Sequence, residues 1–370
     1  MPLGMAAGIR KHTKDVEDAS GEMANASGEA TATALGIHSP SRVYKDAIGK
    51  NIPKGVAKGV REGQTELNAE MKLSVNVENL FYRFPFAKGA EIYKNAGFDA
   101  VDYALSEMVN DTSPLCGHDY RAKAEEIRKT AEAVGIPINQ THAPFTFAYK
   151  LWADETSYRE TVYPRLCRSV EISALLGAKV VVMHPLHHFP YRGHEEEIFA
   201  RNMEFYRSLI PVCRDCGIVM GIENMWAEDG RHKVIVHDTC SQAAEFVRYI
   251  DTLDSDYMKA CLDLGHIGLP AEQRDEVQDV IRILGHDRLA ALHVHDNDYR
   301  RDLHNIPFEG RLRWGEIMRA LKEIGYTGDF TYETTTEFMR GAPDDFVPIG
   351  ARYMADVGHY LIGMAEGTEC

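Results

Sequence analysis

Residues 174–185 read ALLGAKVVVMHP. An apolar helix end, a glycine, a run of three valines and a histidine follow one another. Glycine after an apolar-periodic segment marks a helix stop, because it accepts the left-handed conformation that ends the last turn. The valine run is too short for a helix and β-branched throughout, which predicts a buried strand with His184 at its C-terminal end. The same order recurs along the chain. AVGIP (133–137) leads into INQTHAP and His142, DCGIV (215–219) into VMGIEN and Glu223, and EIGYTG (323–328) into DFTYET and Glu333. KACLDLGH ends its strand on Asp263, and LAALHVHD on His293. These residues stand mostly about forty apart, the length of one strand, one helix and their loops in a barrel of alternating units. Such a phase places one candidate ligand per strand around a single mouth.

From Met71 onward the alternation is regular. Strands are expected at Lys72–Val77, Phe98–Tyr103, Ile136–His142, Lys179–His184, Ile218–Glu223, Met258–Asp263, Leu289–His295 and Gly328–Glu333. Apolar residues three and four apart predict helices at Tyr120–Val134, Tyr158–Leu176, Asn202–Cys216, Ser241–Ile250 and Trp314–Ile324. Eight units predict an α/β fold, a closed (β/α)8 TIM barrel over residues 71–365, with 366–370 as a tail. An open parallel sheet would leave the ligands of the first and last units apart.

Residues 1–70 differ in character. The run Ala19–Thr33 is small and polar and offers little apolar area for a core. This segment is expected to be a mostly disordered or peripheral extension. Within it, ALGIHSPSRVYKDAIGKNIPKGVAKGV (34–60) resembles a segment of phage tail tape-measure proteins, which raises an assembly or binding role as one alternative.

The 370 residues carry a formal net charge of -15, which argues against a broad phosphate-binding surface and against nucleic acid as a partner. Seven cysteines make no disulfide scaffold, and Cys213 and Cys216 fall on an apolar-periodic helix, as reduced structural thiols would. No stretch has the eighteen or so consecutive apolar residues of a membrane span, and the N-terminus shows no apolar signal core. A cytoplasmic enzyme is expected, with a homo-oligomeric state left open.

Glu223, Asp263, His293 and Glu333 form the strongest set. Three carboxylates and an imidazole in one pocket repel and are costly to bury without a cation. The oxygen-rich set suits Mn²⁺ first, with Mg²⁺, Co²⁺ or Zn²⁺ as alternatives. In LHVHDND, His293 and His295 share one side of an extended strand, and spacing alone does not choose between them. His266 lies three residues past Asp263, where it could orient a substrate oxygen. Trp226 follows GIEN closely enough to face substrate. Phe81, Phe145 and Trp152 read as pocket wall or barrel-end core, and Arg300 or Arg301 as a ligand for a substrate anion. His187, His188, His194 and His237 lack the strand-end phase and read as loop residues. No GxGxxG or Walker sequence implies a nucleotide.

Together NQTHAP, VMHP, GIEN, CLDLGH, LHVHDND, RDLHNIPFEGRLRW and TYET resemble the xylose-isomerase-like barrel superfamily over about residues 71–365. That group holds sugar isomerases, ketose 3-epimerases, inosose-processing enzymes and the endonuclease IV type of abasic-site nuclease. The resemblance implies that Glu223, Asp263, His293 and Glu333 carry the ion. It also implies that Glu223 and Glu333 act as catalytic carboxylates, and that His184 and His266 line the substrate, with His266 also catalytic. His142, His184, Trp226, His295 and Arg301 are the expected contacts to a carbohydrate or polyol substrate. The nuclease branch implies a different use of the mouth. Its three-zinc site would fall on His142, His184, Glu223, Asp263, His266, His293, Asp302, His304 and Glu333. The expected activity is a divalent-metal sugar or keto-polyol isomerase or epimerase working through an enediolate. A three-zinc phosphodiesterase on abasic DNA is the alternative, as is a lyase or deglycosylating enzyme acting on an oxidised sugar.

Overall fold

The computed structural model describes residues 71–145, 155–186, 190–272, 274–334 and 341–366. The extension with its stretch 34–60, Trp152, His187, His188, the side chain of Phe81 and residues 367–370 lie outside the described residues.

Eight strands run parallel in one sheet. They are β1 (Leu73–Asn76), β2 (Ala100–Ala104), β3 (Ile138–His142), β4 (Val180–Met183), β5 (Val219–Glu223), β8 (Met258–Asp263), β9 (Leu289–His293) and β10 (Phe330–Tyr332). Their order is β10-β1-β2-β3-β4-β5-β8-β9. The two ends meet: Val294 bridges Tyr332 in parallel, and its N–H donates to the Thr331 carbonyl at 2.9 Å. The Glu333 N–H returns to the Val294 carbonyl at 3.1 Å. That pair closes the barrel beside the ligand-bearing strand ends. Between β5 and β8 a two-stranded antiparallel hairpin is inserted, β6 (Trp226–Asp229) and β7 (Val234–His237).

Eight longer helices among the described residues flank the strands. They are α1 (Phe86–Ala96), α2 (Tyr120–Val134), α3 (Tyr163–Leu176), α4 (Glu195–Cys216), α5 (Ala243–Leu253), α6 (Val277–Arg288), α7 (Trp314–Glu323) and α8 (Val347–Glu366). Gly135 shows why the helix-to-strand joints are sharp. At φ 78° its N–H caps the Ala131 and Glu132 carbonyls, and Ile136 can then turn into β3. On α4 the buried face carries Met203, Phe205, Tyr206, Leu209 and Cys213. Removing a fully buried side chain of this kind, as in Leu209→Ala, costs about 2–5 kcal/mol.

The barrel interior positions the site. Side chains two apart on a strand share a face. Val182, Cys261 and Ala291 pack into a small apolar cluster, separate from the main core between strands and helices. His184, Asp263 and His293 are the next residues along the same faces. Gly221 belongs to this layer, since a Cβ there would lie 2.9 Å from Cys261 Cβ. A small, apolar layer thus sits beneath a polar one.

Candidate metal centre

Glu223 occupies the middle of the polar layer and is 1 % exposed. Its Oε1 lies 3.1 Å from His293 Nδ1, and its Oε2 lies 3.1 Å from His184 Nε2 and 3.3 Å from His142 Nε2. Burial alone would raise this carboxyl. The charges of His293 and His184 and the hydrogen bonds of His142 and His184 outweigh burial and hold it well below the ordinary carboxylate range. Glu333 closes the set from β10, with Oε2 3.3 Å from His293 Nδ1. Ligand atoms of Glu223, Asp263, His293 and Glu333 all lie within 4.8 Å of one another.

Three further groups adjoin this one, of which the set His142, His293 and Glu333 overlaps it in two residues. His142, His184 and Glu223 share the same spacing, as do His266, His295, Asp302 and His304. In the last of these, His304 Nε2 is 3.0 Å and His266 Nε2 3.5 Å from Asp302 Oδ2. Burial would lower His266, yet the Asp263 and Asp302 charges carry it well above the ordinary imidazole range.

The imidazoles are aimed from behind. His142 Nδ1 lies 2.8 Å from the Ala143 carbonyl, His266 Nδ1 2.8 Å from the Asn224 carbonyl, and His304 Nδ1 2.6 Å from the Glu333 carbonyl. A carbonyl only accepts, so each Nδ1 carries a hydrogen and each Nε2 is turned toward the carboxylates. This is how a protein presents a neutral imidazole lone pair to a metal ion. With no cation between them, Nε2 and a carboxylate can face each other only if a proton lies between them. A divalent ion removes that demand, so the donors fit one.

Backbone geometry sets the remaining donors. The Asp263 N–H donates to Asn224 Oδ1 at 2.8 Å, and Asn224 Nδ2 returns to the Asp263 carbonyl at 3.0 Å, tying the ends of β5 and β8. Asp302 and His304 hang on the loop after β9, which Asp296 organises. This buried carboxylate accepts from the backbone N–H groups of Asn297, Phe308, Arg311 and Leu312 and from the Trp314 indole. His304 sits at φ 47°, an uncommon left-handed conformation that this loop imposes.

A cavity of about 550 Å³ opens over the centre. Glu223, Glu333, His184, His266, Asp302 and His304 line its inner end, with Phe145 and Trp226 among its walls. Trp226 donates its indole N–H to Asp302 Oδ2 at 3.2 Å. His142 lies beneath this lining. His295 departs from the expected substrate contact: it is fully buried, its Nε2 is 3.0 Å from the Asp263 carboxylate, and its ring stacks on His304 at 3.9 Å. Arg301 also departs from it. Its guanidinium pairs with Asp298 at 2.9 Å, because Asp298 already caps the turn that carries Arg300 and Arg301, and neither arginine lines the cavity. The loop histidines stand apart: His194 bonds the Pro190 carbonyl, and His237 bonds Ser241 Oγ and the Glu272 carbonyl.

Asp102 was not anticipated. It is fully buried on β2, accepts from Asn76 Nδ2 and Gln140 Nε2 at 3.3 Å, and lies 3.9 Å from His293 Nε2. Burial pushes its carboxyl up, while the His293 and His142 charges oppose that shift. The signal was present as a lone carboxylate inside the apolar run AVDYAL.

The model of the xylose isomerase-like TIM barrel family matches residues 90–356. This chain belongs to that family. The match begins after residues 34–60 and lends no support to a tape-measure segment. Over 207 residues the chain is 31% identical to a D-psicose 3-epimerase of Enterocloster bolteae, covering 55% of this chain and 63% of that one. A crystal structure of a D-psicose 3-epimerase in the presence of D-fructose superposes with a TM-score of 0.61 at 21% identity, covering 79% of this chain and 100% of that one. A 3-keto-D-glucoside 4-epimerase from E. coli gives 0.58 at 19% identity, covering 79% and 98%. At these identities the structural likeness carries the fold. No helix among the described residues is long and apolar enough to cross a membrane.

Proposed function

We propose that this chain is a divalent-metal-dependent isomerase or epimerase acting on a sugar or keto-polyol. The observation that carries the reading is the convergence of Glu223, Asp263, His293 and Glu333 from four strand ends, with Glu223 and Glu333 lining one cavity. Likeness to D-psicose 3-epimerases supports it. The oxygen-rich donor set favours Mn²⁺ among divalent ions. Six described cysteines are free thiols, which supports the cytoplasm as its compartment.

A divalent ion held by these four residues would polarise adjacent carbonyl and hydroxyl oxygens and stabilise the negative charge of an enediolate. Glu223 and Glu333 approach the reacting carbon from different strands. One takes the proton α to the carbonyl and the other supplies a proton to the opposite face, which inverts that carbon. His266, fixed by its Nδ1–H to the Asn224 carbonyl, orients the oxygen whose charge changes. Loss of a leaving group from the same carbanion would make a lyase of the same inner end, and product analysis separates the two.

A second reading draws on one specific observation. The groups His142–His184–Glu223 and His266–His295–Asp302–His304 offer two more places for a cation. Three ions in a row suit phosphodiester hydrolysis, the three-zinc nuclease alternative. Elemental analysis of the purified, metal-saturated protein tests the choice. One tightly held ion supports the isomerase or epimerase, and three zinc ions with incision of an abasic duplex would reverse the ranking.

A further inference from the structure

We propose that the outer half of the cavity is a second ring subsite, so that the substrate is a neutral disaccharide or glycoside rather than a free monosaccharide or a sugar phosphate. This rests on the isomerase or epimerase reading for the chemistry at the inner end.

Size is the first argument. A cavity of about 550 Å³ lies well within the roughly 300–1,000 Å³ of pockets that take drug-sized ligands. The reacting sugar ring needs only the inner end beside Glu223 and Glu333. Beyond them the lining continues through Trp226, Ala227 and Glu228 of β6, then Asp238, Pro190 and Tyr191. These outer residues belong to none of the four ligand groups.

Chemistry is the second. Trp226 and Tyr191 offer aromatic faces, which pack well on the C–H face of a pyranose. Asp238 and Glu228 offer carboxylates, which accept hydroxyl hydrogens. No lysine or arginine lines the cavity among the described residues. A phosphate or carboxylate at the outer end would face the Asp238 and Glu228 carboxylates, and Lys233 beside them is already paired with Glu228 at 3.0 Å.

Construction is the third, because this wall is held in place. β6 and β7 pair from Trp226↔His237 to Asp229↔Val234. The Met225 N–H donates to the Thr239 carbonyl at 2.9 Å, and the Trp226 indole is tied to Asp302. Asp238 is 3 % exposed and its Oδ1 accepts the Thr239 N–H at 2.6 Å. The Tyr191 hydroxyl bonds the Glu245 carboxyl on α5, whose Oε2 also accepts the Cys240 N–H at 2.8 Å. The outer wall is therefore preorganised in the same way as the centre itself.

Calorimetric titration of the Mn²⁺-loaded full-length protein tests this without turnover. Cellobiose, maltose, lactose and sucrose are each compared with their constituent monosaccharides, and glucose with glucose 6-phosphate. At least one disaccharide should bind about tenfold or more tightly than either of its halves. Glucose 6-phosphate should bind no more tightly than glucose. Tyr191→Ala should cut the disaccharide preference by about fivefold or more, and Glu228→Ala at the exposed rim serves if that variant does not fold. A panel with no such preference, a preference unchanged in the folded variants, or tighter binding of the phosphate would overturn the proposal. Absence of any isomerase or epimerase activity would sink the reading of the inner end while leaving these binding ratios to stand or fall separately.

Discussion

Trp226 donates its indole N–H to Asp302 Oδ2 at 3.2 Å, and the same oxygen lies 3.0 Å from His304 Nε2. One carboxylate thereby joins the inserted hairpin, which walls the cavity, to the loop after β9, which supplies candidate ligands. The outer wall and the polar centre are parts of one hydrogen-bonded assembly.

The metal-free protein should lose stability as pH rises through the neutral range. Burial alone would lower the His304 imidazole, but the hydrogen bond and charge of Asp302 carry it from 6.5 up to about 9. A raised value in the folded state means stabilisation present in full below 6.5 and lost as pH climbs through about 9. Cation binding needs Nε2 unprotonated, so metal affinity should rise over the same window, with protons released on binding. Thermal denaturation of the stripped protein and metal titrations from pH 6 to about 9 check both signs. A melting temperature that climbs with pH, together with pH-independent metal affinity, would contradict the account.

Asp102→Ala should weaken metal binding without removing a ligand. The carboxylate stands 3.9 Å behind His293 Nε2 and acts on that ring through its charge. Losing such a partner typically costs about 10–100-fold in metal affinity. Asp102→Asn, which keeps an acceptor, should cost less. Competition with a chelator of known affinity gives the ratio, and equal affinity in wild type and Asp102→Ala would remove Asp102 from the centre.

Asp296→Ala should destabilise the fold and scatter Asp302 and His304 together. Five donors converge on that buried carboxylate. Stranding several of them should cost about 3 kcal/mol or more, since each bond to a charged group is worth roughly 1.5–3 kcal/mol. Urea denaturation measures the loss. A change below about 1 kcal/mol would mean the loop is held by other contacts.

Much of the barrel was legible because its ligands repeat in phase with its strands. Met258–Asp263 and Tyr120–Val134 lie where the periodicity puts them, and the other barrel strands differ by one or two residues at their ends. β9 stops at His293 rather than His295, because Val294 leaves β8 to bridge Tyr332 and close the barrel. The hairpin was not anticipated. WAED and VIVH are short, and the turn between them reads DGRHK, whose Asp-Gly signal is diluted by three polar residues. Asp229 closes that turn by accepting the Arg231 and His232 N–H groups. Helices α1, α6 and α8 also escaped the periodicity. Glycines interrupt their patterns, and Gly285 at φ 67° breaks α6 outright. Arg301 misled for a physical reason: an arginine past a strand end reads as an anion ligand until the carboxylate three residues earlier is seen to hold it. The placement of His295 under His304 depends on the loop that Asp296 folds, and no local pattern encodes that.

Solvent labelling at carbon tests the metal-assisted proton transfer directly. Metal-loaded protein is incubated in deuterated water with a panel of ketoses, keto-polyols and the glycosides that bind best, and the recovered sugars are analysed by mass. Deuterium is expected on the carbon beside the carbonyl. The label should vanish when the metal is stripped and return when Mn²⁺ is restored. At matched metal content, Glu223→Gln and Glu333→Gln should lower kcat by about 100-fold or more with a smaller change in KM. No label in any sugar, combined with incision of an abasic duplex by the zinc-loaded protein, would contradict that proton transfer.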